Sequence, residues 1–307
     1  MRVLVTGGAG FVGTNLVRRL LTDGYEVTVL DDLSTGLLSN LEGLDLRFVE
    51  GTLTNPETVA ESAQGADVIV HLGARGSVPR SIEHPVPTHE VNATGTLNVL
   101  EAARATGAYV VFSSSSSVFG ANLQLPKTER SWTQPMSPYA ASKLAAEGYV
   151  MGYRAAYGMP ALVLRFFNIF GPWQRPDHDY AAVIPKWLWK TMNGEPIEVH
   201  GDGTQTRDFT YVDSVVDVLL SAIERQLSPD SPVNLAFGRR VSLNELLADM
   251  EAVLDVAPVV SYGAPRPGDV RDSQNDPRLL LELFPETQTP DLALALKDTA
   301  NWLSSRK

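Results

Sequence analysis

Thr6-Gly-Gly-Ala-Gly-Phe-Val-Gly13 is the stretch on which the fold turns. It follows a β-rich run, Arg2-Val-Leu-Val-Thr6, and opens a segment whose apolar residues Phe11, Leu16, Leu20 and Leu21 recur at helical spacing. Glycines at 7, 10 and 13 allow a tight turn, close backbone approach to a pyrophosphate, and close helix–strand packing. The helix N-terminus adds free N–H groups and partial positive charge for phosphates. A glycine triplet alone is equally consistent with a flexible connection. Here it sits between strand and helix, and the next strand, 26–30, stops at Asp31, near the usual offset of about twenty residues. A carboxylate there accepts from both ribose hydroxyls and repels a 2′-phosphate, so the spacing predicts NAD over NADP. Asp32 carries less weight, since it also reads as a solvated loop acid.

Working outward, β-type runs at 46–49, 67–71, 109–112 and 161–165 alternate with helical patterns at 91–105 and 139–157. This alternation predicts an α/β fold, a Rossmann-type doubly wound parallel sheet. After Asn168, Gly-, Pro- and Trp-rich segments interrupt shorter elements. The expected organisation is a dinucleotide-binding domain over 1–170, with a return segment at about 208–240, and a smaller intercalated lobe over 171–207 and 241–307. A chain of 307 residues with 44% hydrophobic content has ample core material, and the absence of Cys excludes disulfides, zinc-thiolate sites and a Cys nucleophile. The five histidines lack metal-ligand spacing, and His71, at a strand end, reads as a satisfied core residue. A net charge of −11 opposes nucleic-acid binding. Met1 leads straight into an apolar strand with no leader pattern, and apolar runs fall far short of the ~20 residues that cross a bilayer. The expectation is a cytoplasmic protein with no membrane partner.

Tyr139-Ala-Ala-Ser-Lys143 places a phenol and an ammonium four residues apart. On a helix they differ by about 40° in azimuth and ~6 Å in height, so both project from one face. A phenol with an ordinary pKa of ~10 becomes a useful base near neutrality only if nearby positive charge favours its anion. Lys143 and an oxidised nicotinamide ring would supply that charge. By itself the pair also suits an amphipathic helix with Tyr packed and Lys solvated. The serine run 113–117 can provide a hydroxyl to a reacting substrate oxygen, although a serine-rich turn is ordinary loop chemistry.

Together, the glycine turn, the Asp31 stop, Ser113-Ser-Ser-Ser-Ser-Val-Phe-Gly120 and Tyr139-Ala-Ala-Ser-Lys143 resemble the extended short-chain dehydrogenase/reductase family. The likeness is to its nucleotide-sugar 4-epimerase branch, and continues through 71–81, Val91-Asn92, Arg165-Phe-Phe-Asn168, 201–208 and Arg266-Pro-Gly-Asp269. The segment from Tyr180 to Trp187 resembles the N-acetylhexosamine group. Carried over by position, the resemblance implies that Gly7, Gly10, Phe11, Val12 and Gly13 hold the NAD pyrophosphate, and Asp31 its ribose. Leu53 would lie by the adenine. Leu72, Gly73, Ala74, Asn92, Ser113 and Phe166 would line the cofactor together with Tyr139 and Lys143. Ser115, Tyr139 and Lys143 would be catalytic. Gly76, Ser77, Ser116, Asn168, Val183, Val199, Arg207, Arg266, Asp269 and Ser273 would meet a UDP-sugar. Thr52 departs from the family, which usually carries Asp against the adenine. The arginines suit this reading, because a guanidinium pairs bidentately with diphosphate; a surface ion pair is the ordinary alternative. Asp208 and Asp269 are placed to orient Arg207 and Arg266.

The implied activity is NAD-dependent UDP-sugar 4-epimerisation through a transient 4-keto sugar, with no metal. The 4,6-dehydratases and decarboxylases of the branch are the rivals. Such dehydratases carry Asp-Glu directly after the catalytic Thr and the decarboxylases typically keep the Glu; here Ser116 and Ser117 occupy those positions. A keto-sugar reductase would consume NADH, and a non-enzymatic dinucleotide sensor would have no use for Tyr139 and Lys143. A small Ser273 beside the sugar 2-substituent leaves room for N-acetyl, which points to UDP-GlcNAc/UDP-GalNAc alongside UDP-Glc/UDP-Gal; it equally reads as a plain loop serine. A UDP-glucuronate 4-epimerase stays open, since Arg75, Arg80 and Arg175 can meet a carboxylate. Trp173, Trp187 and Trp189 are expected to pack the smaller lobe. The family resemblance also implies a homodimer formed through helices near 92–105 and 139–157.

Overall fold

The computed structural model describes residues 1–177, 181–264 and 270–306. Six strands alternate with helical segments over residues 2–166: β1 (Arg2–Thr6), β2 (Glu26–Asp31), β3 (Arg47–Glu50), β4 (Val68–His71), β5 (Tyr109–Ser115) and β6 (Ala161–Phe166). Short strands follow: β7 (Ile169–Phe170), β8 (Ile197–His200), β9 (Thr206–Arg207), β10 (Thr210–Tyr211), β11 (Val233–Leu235), β12 (Val241–Ser242) and β13 (Val260–Gly263). The main sheet is parallel, in the order β3-β2-β1-β4-β5-β6-β11. The central strands are apolar on both faces, as a sheet covered on both sides demands. One face packs against the helices Phe11–Thr22 and Val212–Arg225, the other against Gly95–Thr106 and Pro138–Tyr157.

After β3 the chain crosses β1 and β2 to reach β4, so the strand order reverses between β1 and β4. At that switch the carboxyl ends of neighbouring strands splay into a crevice, the usual ligand position in an open α/β sheet. Thr6 aligns with Leu30 on β2 and with His71 on β4, which brings three strand ends together there. The helix Val212–Arg225 and β11 return the chain to the main sheet, where β11 pairs with β6. The remaining short strands pair in twos: β7 with β10, β9 with β12, and β8 with β13.

Several local expectations shift. The serines Ser113, Ser114 and Ser115 belong to β5 rather than to a turn. The Ser113 hydroxyl donates to His71 O and the Ser114 hydroxyl to the Glu147 carboxylate, which satisfies them inside the sheet. The helical pattern at 91–105 opens with a wider π turn, Glu90–Thr94, before regular helix begins at Gly95. Among the described residues, no helix is long and apolar enough to cross a membrane.

Candidate active site

A cavity of about 730 Å³ lies along the carboxyl edge of the sheet, lined by Asp31, Tyr139 and Trp173 among others. That volume falls within the range of small-molecule sites. Its first wall is the glycine turn. Gly7 has φ +73°, and a Cβ there would lie 2.8 Å from the Gly73 backbone, so two chain segments meet at a distance only glycine allows. At Gly13 a Cβ would fall 2.2 Å from Gly7 O, so this glycine lets the helix sit down on the turn. The cradle thus fits a dinucleotide pyrophosphate held by backbone N–H groups.

Asp31 ends β2 almost completely buried. One carboxylate oxygen accepts from Ala9 N at 3.0 Å and the other from Leu33 N at 2.9 Å. Burial pushes its pKa up, while these two amides pull it back. The carboxylate is therefore fixed in orientation with lone pairs left for a ribose diol. Asn40, which the sequence did not flag, braces the same wall by donating its amide to Ala9 O at 3.1 Å.

The second wall comes from β5 and the helix Pro138–Tyr157. Pro138 at the first helical position and Ser137 as its cap, accepting from Ala140 N, fix where this helix starts. Tyr139 and Lys143 then face the cavity together, as their spacing predicts. Lys143 is buried, and its ammonium donates to Ser113 O at 2.8 Å. Burial lowers its pKa to about 7. Burial raises that of the Tyr139 phenol, and a hydrogen bond from Ser115 works against the rise. Ser115 Oγ accepts from the Ser117 hydroxyl at 2.8 Å and from Ser117 N at 3.2 Å, which directs its own proton toward the phenol. Burial and the Ser115 hydrogen bond set the phenol's shift, and Lys143 adds no resolved pull toward its anion. An oxidised nicotinamide against this wall would add positive charge.

A buried ion pair stands behind the wall. Arg165 on β6 grips Glu147 of the catalytic helix through Nη2–Oε1 at 2.5 Å and Nε–Oε2 at 3.0 Å, and the Ser114 hydroxyl joins at 2.8 Å. Sequence reasoning passed over Glu147, since a lone Glu in a helix carries no signature.

The cavity wall gathers Gly7, Gly10, Phe11, Val12, Gly13, Asp31, Asp32, Leu53, Leu72, Gly73, Ala74, Gly76, Ser77, Ser113, Ser115, Tyr139, Lys143, Phe166 and Asn168. It omits others. Asn92 is buried one layer behind, where its side chain holds the backbone of Arg75. Val199 is wholly buried in β8, so its side chain faces packing rather than a ligand. Ser116 starts the short 3-10 turn beyond Ser115, and Val183 starts the helix Val183–Met192, while Ala182 takes the wall position. Arg207 donates to Thr206 O and Arg271 O, and Ser273 sits on Thr206 O through its amide. The expectation that Asp208 orients Arg207 is corrected: its carboxylate turns inward, accepts from Gly238 N and Asn275 N, and is raised to about 7 by burial. Arg266, Asp269 and Tyr180 lie outside the described residues.

Trp173 has two roles. It does pack against the smaller lobe, its ring centre 5.8 Å from that of Trp302 and 4.4 Å from Arg306, but it also lines the cavity, with Arg18 4.3 Å away. Arg75, Arg80 and Arg175 line the cavity as well. Ser77, Asn168 and Trp173 are non-glycine wall residues with φ of +99°, +32° and +70°. Strain of this kind concentrates at functional sites.

With this geometry in hand, comparison with known proteins is direct. Residues 3–236 match the model of the NAD dependent epimerase/dehydratase family. The chain is 36% identical over 283 residues to a UDP-glucose 4-epimerase of Mycolicibacterium smegmatis, covering 90% of each. It superposes with a TM-score of 0.94 at 32% identity on a UDP-glucose 4-epimerase of Thermotoga maritima solved with UDP-glucose, covering 100% of this chain and 99% of that one. A UDP-N-acetylglucosamine 4-epimerase of Methanobrevibacter ruminantium, in complex with UDP-N-acetylmuramic acid, gives a TM-score of 0.93 at 33% identity, with 100% and 99% coverage. The chain belongs to the NAD dependent epimerase/dehydratase family.

Proposed function

We propose that the protein is an NAD-dependent UDP-sugar 4-epimerase. The observation that carries this reading is the Ser115–Tyr139–Lys143 cluster facing the same cavity as the Gly7–Gly13 cradle, with Ser116 and Ser117 where an eliminating enzyme needs a carboxylate. Held by the Gly7–Gly13 cradle and Asp31, NAD would supply reversible hydride transfer at C4 of the hexose. The Tyr139 phenolate removes the proton of the 4-hydroxyl and later gives it back. Ser115 hydrogen-bonds the same oxygen and the phenol, a position from which it can relay that one proton between them, with Ser117 holding its hydroxyl in place. Lys143 fixes the wall through Ser113 O. Asp31 and the glycine turn seat the cofactor so that one cofactor molecule serves every turnover.

The substrate pairs proposed are UDP-Glc/UDP-Gal and UDP-GlcNAc/UDP-GalNAc, with the protein acting as a homodimer. Exposed apolar side chains on Val78–Glu83, Pro85–His89 and Pro138–Tyr157 (Ile82, Val86, Tyr149 and Tyr157) support the dimer. The test is incubation with UDP-Glc, UDP-GlcNAc and UDP-GlcA in turn, without added cofactor, and separation of the products. Interconversion of C4 isomers is expected for the first two. A 4-keto-6-deoxy or decarboxylated product would overturn the assignment.

A further inference from the structure

His71 ends β4 with 1% of its surface exposed, and the epimerisation chemistry has no use for it. Its ring nonetheless joins two polar clamps. Nδ1 lies 2.7 Å from Thr6 Oγ1, and Nε2 lies 3.0 Å from Thr96 Oγ1. Thr6 Oγ1 accepts from Gly73 N at 3.1 Å. Thr96 Oγ1 donates to Asn92 O at 2.6 Å. Asn92 in turn takes Arg75 N at 2.8 Å and gives its amide to Arg75 O at 3.3 Å and to Ser142 Oγ at 2.9 Å.

Proton accounting assigns the tautomer. The single Thr96 hydroxyl proton is committed to Asn92 O, so Thr96 can only accept from the ring, and Nε2 must carry hydrogen. Nδ1 is then the bare nitrogen and accepts the Thr6 proton, which leaves Thr6 Oγ1 to accept from Gly73 N. The opposite tautomer leaves two oxygens 2.6 Å apart with no proton between them. An imidazolium would present a proton to Thr6 where the present arrangement needs an acceptor. Burial and the nearby Lys143 ammonium oppose that charged form, holding the pKa near 3.

Thr6, Thr96 and Asn92 are all buried, so solvent does not stand in for any of these bonds. The loop Leu72–Arg75 is therefore pinned at Gly73 by Thr6 and at Arg75 by Asn92, and one imidazole ties both pins together. This loop is the wall that faces the glycine turn at its closest approach, 2.8 Å from the position of a Cβ on Gly7.

We propose that His71, as a neutral Nε2–H imidazole, is a positioning residue that sets the width of the dinucleotide cradle and so governs how tightly NAD is held. The proposal rests on the 4-epimerase reading only for the identity of the dinucleotide. His71→Phe keeps a flat ring but removes both hydrogen bonds. His71→Gln retains one acceptor and one donor at comparable reach. NAD binding to nucleotide-stripped full-length protein is measured by titration calorimetry, and kcat and its pH profile at saturating NAD.

For His71→Phe the dissociation constant should rise at least ~10-fold, equivalent to about 1.4 kcal/mol of lost binding. Its kcat at saturating NAD should stay within about twofold, with the pH profile unmoved. His71→Gln should recover most of the affinity. Equal NAD affinity in His71→Phe and the unsubstituted protein overturns the proposal, as does a Gln variant no better than Phe. A shifted pH profile with unchanged affinity likewise overturns it, by making the ring a catalytic group. Should His71→Phe fail to fold, Thr96→Val cuts the same chain and must show the same affinity loss; tight binding in that variant refutes the idea. If the unsubstituted protein binds no NAD, the 4-epimerase reading falls first.

Discussion

At the scale of single residues, the site runs on two groups that burial has moved in opposite directions. The Tyr139 phenol is raised and the Lys143 ammonium lowered to about 7, so the ligand-free site resists the charged state of both. Tyr139→Phe removes the base and is expected to cut turnover by about 10²–10⁴-fold, while calorimetry still shows UDP-sugar binding. Lys143→Met should lose activity on a similar scale yet melt no lower than the unsubstituted protein, because it removes a buried charge whose desolvation opposes folding. The sign of its pH dependence follows. Between pH 7 and the unfolded lysine value, the unfolded chain holds more protons, so this group makes ligand-free stability rise with pH across that window. His71 acts at the acid end. Its folded pKa of about 3 lies below its ordinary 6.5, so as pH falls through that interval the unfolded chain gains a proton the fold refuses. Stability should drop there with a slope of up to ~1.4 kcal/mol per pH unit, and thermal melts of His71→Gln should lack that component.

At the scale of elements, the proposed cofactor cradle sits on the glycine turn and the Phe11–Thr22 helix, and the proposed catalytic pair on the Pro138–Tyr157 helix. Gly13→Ala puts a Cβ 2.2 Å from Gly7 O, against rigid backbone, and is expected to abolish dinucleotide retention, read as absorbance of nucleotide released on denaturation. The catalytic helix is fixed to the sheet by Arg165 and Glu147, both near-fully buried. Arg165→Met strands a buried carboxylate and should cost about 3–5 kcal/mol in denaturant unfolding, whereas the double variant Arg165→Met/Glu147→Met should recover much of that loss. Elements with a strong local period were legible in the sequence: the helix after the glycine turn has the bounds its apolar spacing gives, and β2 does end at Asp31. The two-residue strands Thr206–Arg207 and Thr210–Tyr211 were not, since two residues hold no period. The serines of β5 looked like a turn because the partners that satisfy them, His71 and Glu147, lie far along the chain.

At the scale of the whole molecule, an acidic chain of net charge −11 concentrates Lys143, Arg75, Arg80 and Arg175 along one cavity, so local geometry rather than overall charge is what admits an anionic ligand. The topology that makes this cavity, a parallel sheet whose strand order reverses between β1 and β4, follows from the strand–helix alternation visible in the sequence. What was not visible is which substrate-side residues face inward. Val199 and Asp208 match family positions, yet both turn into the packed interior, because side-chain direction depends on strand pairing and on contacts distant in sequence. The central claim is that hydrogen leaves and returns to C4 as hydride through a bound cofactor. It is tested most directly with a UDP-hexose deuterated at C4, epimerised in ordinary water with unlabelled NADH in excess. Full retention of deuterium at C4 in both epimers is the predicted result; loss of the label to solvent or to the added NADH would contradict the account.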